Sequence, residues 1–341
     1  MKKSISIIGA SGYSGAELLS VLLHHPQTEI NHLFANSSAG KPVEALYPRF
    51  RSTKYGGVFF EEYHPDKVAH DDLVIIALPS GEAMKFVPAL IDAGKRVIDL
   101  GGDFRLKDIQ SYRHYYKHDH CAASYVATAV YGLPEWNADA ISSARLVANP
   151  GCYATSALLP LLPLVKDGLV ASNGITISSL SGVSGAGRSS SVELSFSEVN
   201  ESVRAYKIGT HQHTPEIEHM LQLFGAVETT VTFVPHLIPI TRGIYSTIVA
   251  RLNSGTSKED IARAFEKKYS RSPFIRLLGE AIPEIKHVQH TNFIDIGWHV
   301  YERNRQVIIT SVIDNLLKGA AGQAVQNMNL MFGFNEPEGL L

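Results

Sequence analysis

Ser4-Ile5-Ser6-Ile7-Ile8, a short run rich in isoleucine, leads directly into Gly9-Ala10-Ser11-Gly12-Tyr13-Ser14-Gly15, and Ala16 to Leu23 then carries the apolar spacing of a helix. Strand, glycine loop and helix in that order commit the chain to opening as an α/β fold. Such a turn lets backbone N–H groups at a helix N-terminus approach a pyrophosphate, and glycine gives the clearance. The spacing is Gly-x-x-Gly-x-x-Gly rather than the commoner Gly-x-Gly-x-x-Gly, and a glycine triplet alone also serves a merely tight turn. In this context Gly9, Ser11, Gly12, Tyr13, Ser14 and Gly15 are the first candidate nucleotide contacts.

A second strand is expected over Ile30 to Phe34, and the residues at its carboxyl end select the dinucleotide. There the chain reads Ala35-Asn36-Ser37-Ser38, without the acid that an NAD site uses for the ribose 2′-hydroxyl and that repels a 2′-phosphate. Glu29 stands at the wrong end of the strand. Asn36, Ser37 and Ser38 can donate hydrogen bonds to a phosphate, and Lys41 lies close in sequence, so NADP is expected over NAD.

Asp72 to Leu78 reads as a parallel strand covered on both faces. Pro79-Ser80-Gly81 is expected to open a helix running through Met84, Val87 and Leu90, and Arg96 to Leu100 is the next strand, ending in Gly101-Gly102-Asp103-Phe104-Arg105. Ligands of open α/β sheets bind outside such carboxyl ends, which places Ser80 and Arg105 toward cofactor or substrate. Arg105 can grip a carboxylate or phosphate with a bidentate fork, or pair internally with Asp103 or Asp108. His114, His118, His120 and Cys121 match no standard zinc spacing and, with Tyr115, Tyr116 and Lys117 among them, read as an exposed helix or loop; no metal is expected. Tyr131-Gly132-Leu133-Pro134-Glu135 reads as a turn.

Ala144 to Ala148 is a short apolar run, Asn149-Pro150-Gly151 a sharp turn, and Thr155 to Val165 a buried helix rich in Leu and Ala. Cys152 therefore falls at the first turn of a helix, where unpaired N–H groups and the positive end of the dipole stabilise thiolate over thiol. It is a nucleophile candidate; the alternative is a small buried hydrophobe.

The second half changes character. Ile175 to Ser179 alternates as a strand and runs into Leu180-Ser181-Gly182-Val183-Ser184-Gly185-Ala186-Gly187-Arg188, either a surface linker or a loop that lets backbone approach a planar ring such as nicotinamide. In His211-Gln212-His213-Thr214-Pro215-Glu216, Thr214 reads as an N-cap and Pro215 as the first helical residue, leaving two histidines just before a helix. A thiol enzyme needs a base for its proton and an acid for the product oxygen, and histidine does both near neutral pH. Thr229–Val234, Gly243–Leu252, Thr291–Val300 and Gln306–Ile313 suggest a mostly antiparallel or mixed sheet, with Arg242 between the first two as a further anion-binding candidate. Ser257 to Tyr269 is amphipathic, and the helix led by Asp314-Asn315-Leu316-Leu317-Lys318-Gly319 is expected to pack back on the first domain.

With 341 residues, 45% of them hydrophobic, two domains are expected. A net charge of −2 gives no basic field for nucleic acid, and two cysteines are too few for a disulfide framework and fit a reducing cytoplasm. Met1-Lys2-Lys3 followed by Ile5 to Ala10 imitates a signal peptide, but Gly9, Gly12, Gly15 and Glu17 interrupt it, and no apolar stretch reaches the length of a bilayer span.

Asn149-Pro150-Gly151-Cys152-Tyr153-Ala154-Thr155, Gly182 to Arg188, His211 to Glu216, and Pro235-His236-Leu237 to Arg242-Gly243 together resemble the N-acetyl-gamma-glutamyl-phosphate reductase family of arginine biosynthesis, over nearly the whole chain from Gly9 to Asn315. The resemblance implies a Rossmann-type parallel sheet plus a second α/β domain with a mixed sheet, like the C-terminal domain of glyceraldehyde-3-phosphate dehydrogenase, in the architecture of aspartate-semialdehyde dehydrogenase. It sets the dinucleotide domain at 1–148 and 314–341 and the catalytic and oligomerisation domain at 149–313. It implies a Cys152 thioester, with His211 or His213 as general acid/base. NADP(H) contacts extend to Ser37, Ser38, Ser80, Ser181, Gly182, Ser184, Gly185 and Asn315, and substrate contacts are Arg105, Asn149, Glu216 and Arg242. A homodimer or homotetramer in the cytoplasm is implied. Gln212 departs from the basic residue expected there, which blunts one anion contact. The competing readings are the carrier-protein-linked aminoadipyl phosphate reductase of lysine biosynthesis, aspartate-semialdehyde dehydrogenase, and a dinucleotide-sensing regulator without chemistry.

Overall fold

Six short strands make the first sheet of the computed structural model, which describes residues 2–189 and 191–341; Met1 and Ser190 lie outside it. They are β1 (Lys3–Ile8), β2 (Thr28–Phe34), β3 (Leu73–Ile76), β4 (Arg96–Asp99), β5 (Val130–Tyr131) and β6 (Leu146–Ala148). Their order is β2-β1-β3-β4-β6-β5, and all pairings are parallel. β1 lies between β2 and β3, so the order reverses there, and the loops after β1 and β3 flank the crevice in which such sheets bind ligands. Leu73 to Ile76 are all fully buried, which accounts for their unbroken apolar run.

The longer helices, with single turns left unnumbered, are α1 (Tyr13–Leu23), α2 (Val87–Asp92), α3 (Ile109–Tyr116), α4 (Pro134–Ser143), α5 (Cys152–Lys166), α6 (His213–Gly225), α7 (Lys258–Tyr269) and α8 (Gly322–Phe332). Residues 1–150 with 320–341 form one unit and 151–319 the other. Two expectations need correction within the first unit. The segment after Pro79-Ser80-Gly81 makes a 3-10 turn, Ala83–Lys85, before α2, because Pro88 lacks the N–H a continuous helix would use. The stretch read as a turn at Tyr131–Glu135 is β5 followed by α4, with Pro134 at the helix start. The tyrosine and histidine segment is an exposed helix and loop, as expected, with His114, Lys117, His118 and Cys121 at the surface; it is anchored by Tyr112, which is fully buried and stacks on Tyr116 at 4.7 Å.

The second unit holds β7 (Ile175–Ser181), β8 (Arg204–Ala205), β9 (Val231–Leu237), β10 (Ile244–Arg251), β11 (Ile275–Gly279), β12 (Ile294–Tyr301) and β13 (Gln306–Ile313), ordered β11-β12-β13-β10-β7-β9-β8. The sheet is mixed, with β7–β9 and β11–β12 parallel and the other pairings antiparallel. Ser156 of α5 bonds Ser246 Oγ at 2.8 Å and accepts from Ser311 Oγ at 2.7 Å, which fixes the face of β10 and β13 that the helix covers. The opposite face carries the half-buried Leu180, Val234, Tyr245, Val249 and Ile308. α5 contains Pro160 and Pro163, whose missing N–H groups release the carbonyls of Ser156 and Leu159. Ser311 Oγ takes the first, and the Tyr269 hydroxyl donates to the second at 2.5 Å. Among the described residues no helix is long and apolar enough to cross a membrane.

Candidate active site

In the first unit, Gly9 has φ +87°, and a Cβ there would stand 2.4 Å from the Ala77 carbonyl oxygen in the loop after β3. A Cβ on Gly15 would meet Ala10 Cα at 2.6 Å. Both positions need glycine for the fold itself. Gly12 differs, since the nearest atom to its Cβ position is Gly9 O at 3.5 Å; its bare Cα leaves the N-terminus of α1 approachable, which fits a pyrophosphate. Gly9 N and Ala10 N donate to Phe34 O, Tyr47 OH donates to Ser11 O at 2.7 Å, and Tyr13 and Ser14 begin α1. Beyond β2, Ser37 is exposed and Ser38 buried. The fold brings Glu61 to this end of the strand through the Ala35 N to Glu61 O bond, but its carboxylate is engaged by His32 at 3.0 Å and by Lys67.

At the ends of β3 and β4, Ser80 Oγ accepts from Gly102 N at 3.1 Å, and buried Asp103 accepts from Gly81 N, Met84 N and the Tyr112 hydroxyl. Burial, then the Asp103 charge, pushes the Asp99 carboxyl up to about 7. Arg105 is buried and donates to the carbonyls of Asn149 and Leu100, each at 2.8 Å, while Asp108 caps α3. Asn149 is held on both ends of its carboxamide: Nδ2 donates to Ala320 O at 3.2 Å and Oδ1 accepts from Asn327 at 3.0 Å. Its side chain fixes the turn.

In the second unit, Cys152 is the first residue of α5, with Gly151 as N-cap, and both cysteines are thiols. Gly151 N donates to the Glu216 carboxylate at 2.8 Å, and Glu216 is fully buried. The His213 ring packs on the bare face of Gly151: a Cβ there would stand 2.3 Å from His213 Nε2. α6 begins at His213 after Gln212, and Thr214 donates its N–H to His211 O rather than capping the helix, so His213 lies inside the first turn and His211 before it. His211 Nδ1 accepts from His213 N at 3.1 Å, which leaves its ring proton on Nε2. Burial, then the His213 and Lys207 charges, lowers the His211 pKa to about 2, so it is a neutral imidazole at physiological pH.

Tyr153 stands edge-on to both histidines, at 5.5 and 5.8 Å, and its hydroxyl bonds that of Tyr206 at 2.9 Å. Burial raises both phenols, Tyr206 to about 12. Arg242 is buried, 3.0 Å from the Asp314 carboxylate and 2.8 Å from His290 Nδ1. The second small-residue loop lies against it, since a Cβ on Gly182 would stand 2.8 Å from Arg242 N. Asn315 accepts from Gly243 N and donates to Ser184 Oγ at 3.0 Å, tying this loop to β10; Ser181 and Ser184 are buried and Gly185 exposed. Tyr206, His290 and Asp314 stand beside these residues through long-range contacts that no local sequence pattern marks. Among the described residues no group of three His, Cys, Asp or Glu side chains is arranged to hold a metal ion.

Residues 4–144 match the model of the semialdehyde dehydrogenase NAD binding domain, and residues 152–315 that of the semialdehyde dehydrogenase dimerisation domain. An N-acetyl-gamma-glutamyl-phosphate reductase of Pelotomaculum thermopropionicum is 47% identical over 342 residues, covering 100% of this chain and 98% of the relative. One of Brevibacillus brevis is 45% identical, covering 98% and 97%. Similar solved structures are aspartate semialdehyde dehydrogenase II of Vibrio cholerae complexed with ASA, at TM-score 0.74, 17% identity and 98% and 99% coverage, and aspartate semialdehyde dehydrogenase with NADP from Candida albicans, at TM-score 0.74, 17% identity and 97% and 99% coverage. These two share the fold.

Proposed function

The chain belongs to the N-acetyl-gamma-glutamyl-phosphate reductase family, and from that premise we propose that it reduces N-acetyl-glutamyl 5-phosphate to N-acetyl-glutamate 5-semialdehyde, releasing phosphate, as a step of arginine biosynthesis in the cytoplasm. The observation that carries the reading to this chain's own residues is the His213 ring packed on Gly151, the residue before Cys152.

Cys152 attacks the acyl carbon as a thiolate; a C–S bond forms, the bond to the phosphate oxygen breaks, and phosphate leaves with its electron pair. His213 takes the thiol proton and gives it to the carbonyl oxygen of the acyl group once its carbon is reduced; when this thiohemiacetal collapses to the semialdehyde, the hydroxyl proton returns to His213, the C–S bond breaks and its electron pair goes back to Cys152. His211, neutral at working pH, orients His213 through the backbone bond to its Nδ1. Glu216 holds Gly151 N–H and so the turn that presents the thiol. Arg105 and Arg242 are assigned to the substrate's carboxylate and phosphate, and Asn149 to holding the turn.

NADPH, when bound, supplies hydride to the thioester carbon. Gly9, Ser11, Gly12, Tyr13, Ser14 and Gly15 would hold its pyrophosphate, and Ser80, Ser181, Gly182, Ser184 and Gly185 its nicotinamide side, with Asn315 bracing that loop. Ser37 and Ser38 favour NADP over NAD, because Glu61, which the fold brings to this end of β2, is paired with His32 and Lys67. The sheet face bearing Leu180, Tyr245, Val249 and Ile308 is assigned to a second copy of the chain, as dimer or tetramer.

A substrate panel tests the reading. N-acetyl-glutamate semialdehyde should support phosphate-dependent NADP reduction, with aspartate semialdehyde and carrier-linked aminoadipate semialdehyde inert. Preference for either of the others overturns it.

A further inference from the structure

Lys207 is a cation close to His211 that neither the sequence motifs nor the proposed mechanism uses. Tyr206 N donates to Pro235 O, continuing the short edge pairing of β8 with β9, and a tight turn closed by the Thr210 N to Lys207 O bond at 3.0 Å follows. That turn sets Lys207 Nζ 3.2 Å from Gln212 Oε1, on the residue between the two histidines. Its neighbour Tyr206 bonds Tyr153, which follows Cys152, and the Lys207 charge reaches His211. Lys207 also has φ +46°, a left-handed conformation that a residue with a Cβ adopts at a cost, and such strain gathers at functional positions.

We propose that Lys207 binds an oxyanion of the substrate, the transferred phosphate or the carboxylate, beside the Cys152 thiol, with Gln212 steering its ammonium. The residue is exposed, so its charge is available to an incoming anion without a desolvation penalty on the free enzyme. Gln212, an acceptor where a cation would repel Lys207, holds the side chain without neutralising it. The assignment rests on the acyl phosphate reading for the identity of the anion, but not for its existence.

Lys207→Ala and Lys207→Arg, compared with the wild-type protein, test it by two readouts. The first is alkylation of Cys152 by iodoacetate, an anion, against iodoacetamide, which is neutral. Lys207→Ala should lower the iodoacetate to iodoacetamide rate ratio about tenfold, the size expected for one charge-assisted contact, and Lys207→Arg should restore most of it. The second is the reverse reaction, in which KM for phosphate rises if Lys207 holds the phosphate and KM for the semialdehyde rises if it holds the carboxylate, with KM for NADP unchanged. An unchanged alkylation ratio in Lys207→Ala overturns the proposal. If the wild-type protein lacks phosphate-dependent NADP reduction, the function reading fails and the alkylation ratio alone decides Lys207.

Discussion

His213 occupies the space that a side chain on Gly151 would need: its Nε2 lies 2.3 Å from the position of a Cβ there. The glycine before the cysteine therefore does more than turn the chain. It lets the imidazole sit flat against the backbone that carries the thiol, while Glu216 clamps the N–H of the same residue.

Gly151→Ala should push the ring off the turn. Displacements of about 1 Å in a reacting pair cost about a hundredfold in rate, and kcat is expected to fall by that order while the thermal melting midpoint changes little. A variant with normal kcat would mean that the contact has no part in the chemistry.

The two histidines should separate by pH. His211 has a folded pKa of about 2 against about 6.5 in the unfolded chain. Above pH 6.5 both states hold it neutral and it makes no difference to stability; as pH falls toward 2 the unfolded state binds a proton that the folded state refuses, and stability is lost. Urea unfolding should show wild type losing about 1.4 kcal/mol more than His211→Asn between pH 7.5 and 5.5. In activity, His211→Asn should keep the wild-type inflection in the kcat profile and His213→Asn should lose it; the reverse pattern makes His211 the proton carrier.

Sequence pattern carries some of this architecture and not the rest. β13 has the same limits, Gln306 to Ile313, in the pattern and in the fold, because one face is buried and alternation reports it. Cys152 is likewise visible, since strand, Pro-Gly turn and apolar helix are all local signals. β5 is hidden because two residues show no period, and Pro134 signals a turn and a helix start equally well. Lys207 and Glu61 reach their places through long-range pairing, β8 on β9 and the segment beside β2, which no periodicity records. The lowered pKa of His211 has no local signal, because it depends on burial, and its tautomer depends on one backbone bond to Nδ1.

Tyr269 closes the gap that Pro163 opens in α5. Tyr269→Phe leaves the Leu159 carbonyl buried without that donor, at about 1–3 kcal/mol. Denaturant unfolding should register this loss with KM values unaltered. A neutral result would mean that the carbonyl finds another donor.

The Cys152 thioester is the centre of the account, and it can be trapped. Wild-type protein mixed with N-acetyl-glutamyl 5-phosphate without NADPH, then acid-quenched, should release one phosphate per chain and carry the N-acetyl-glutamyl mass on the peptide containing Cys152, with Cys152→Ser giving neither. Phosphate release without a mass on Cys152, or normal turnover by Cys152→Ser, would contradict it.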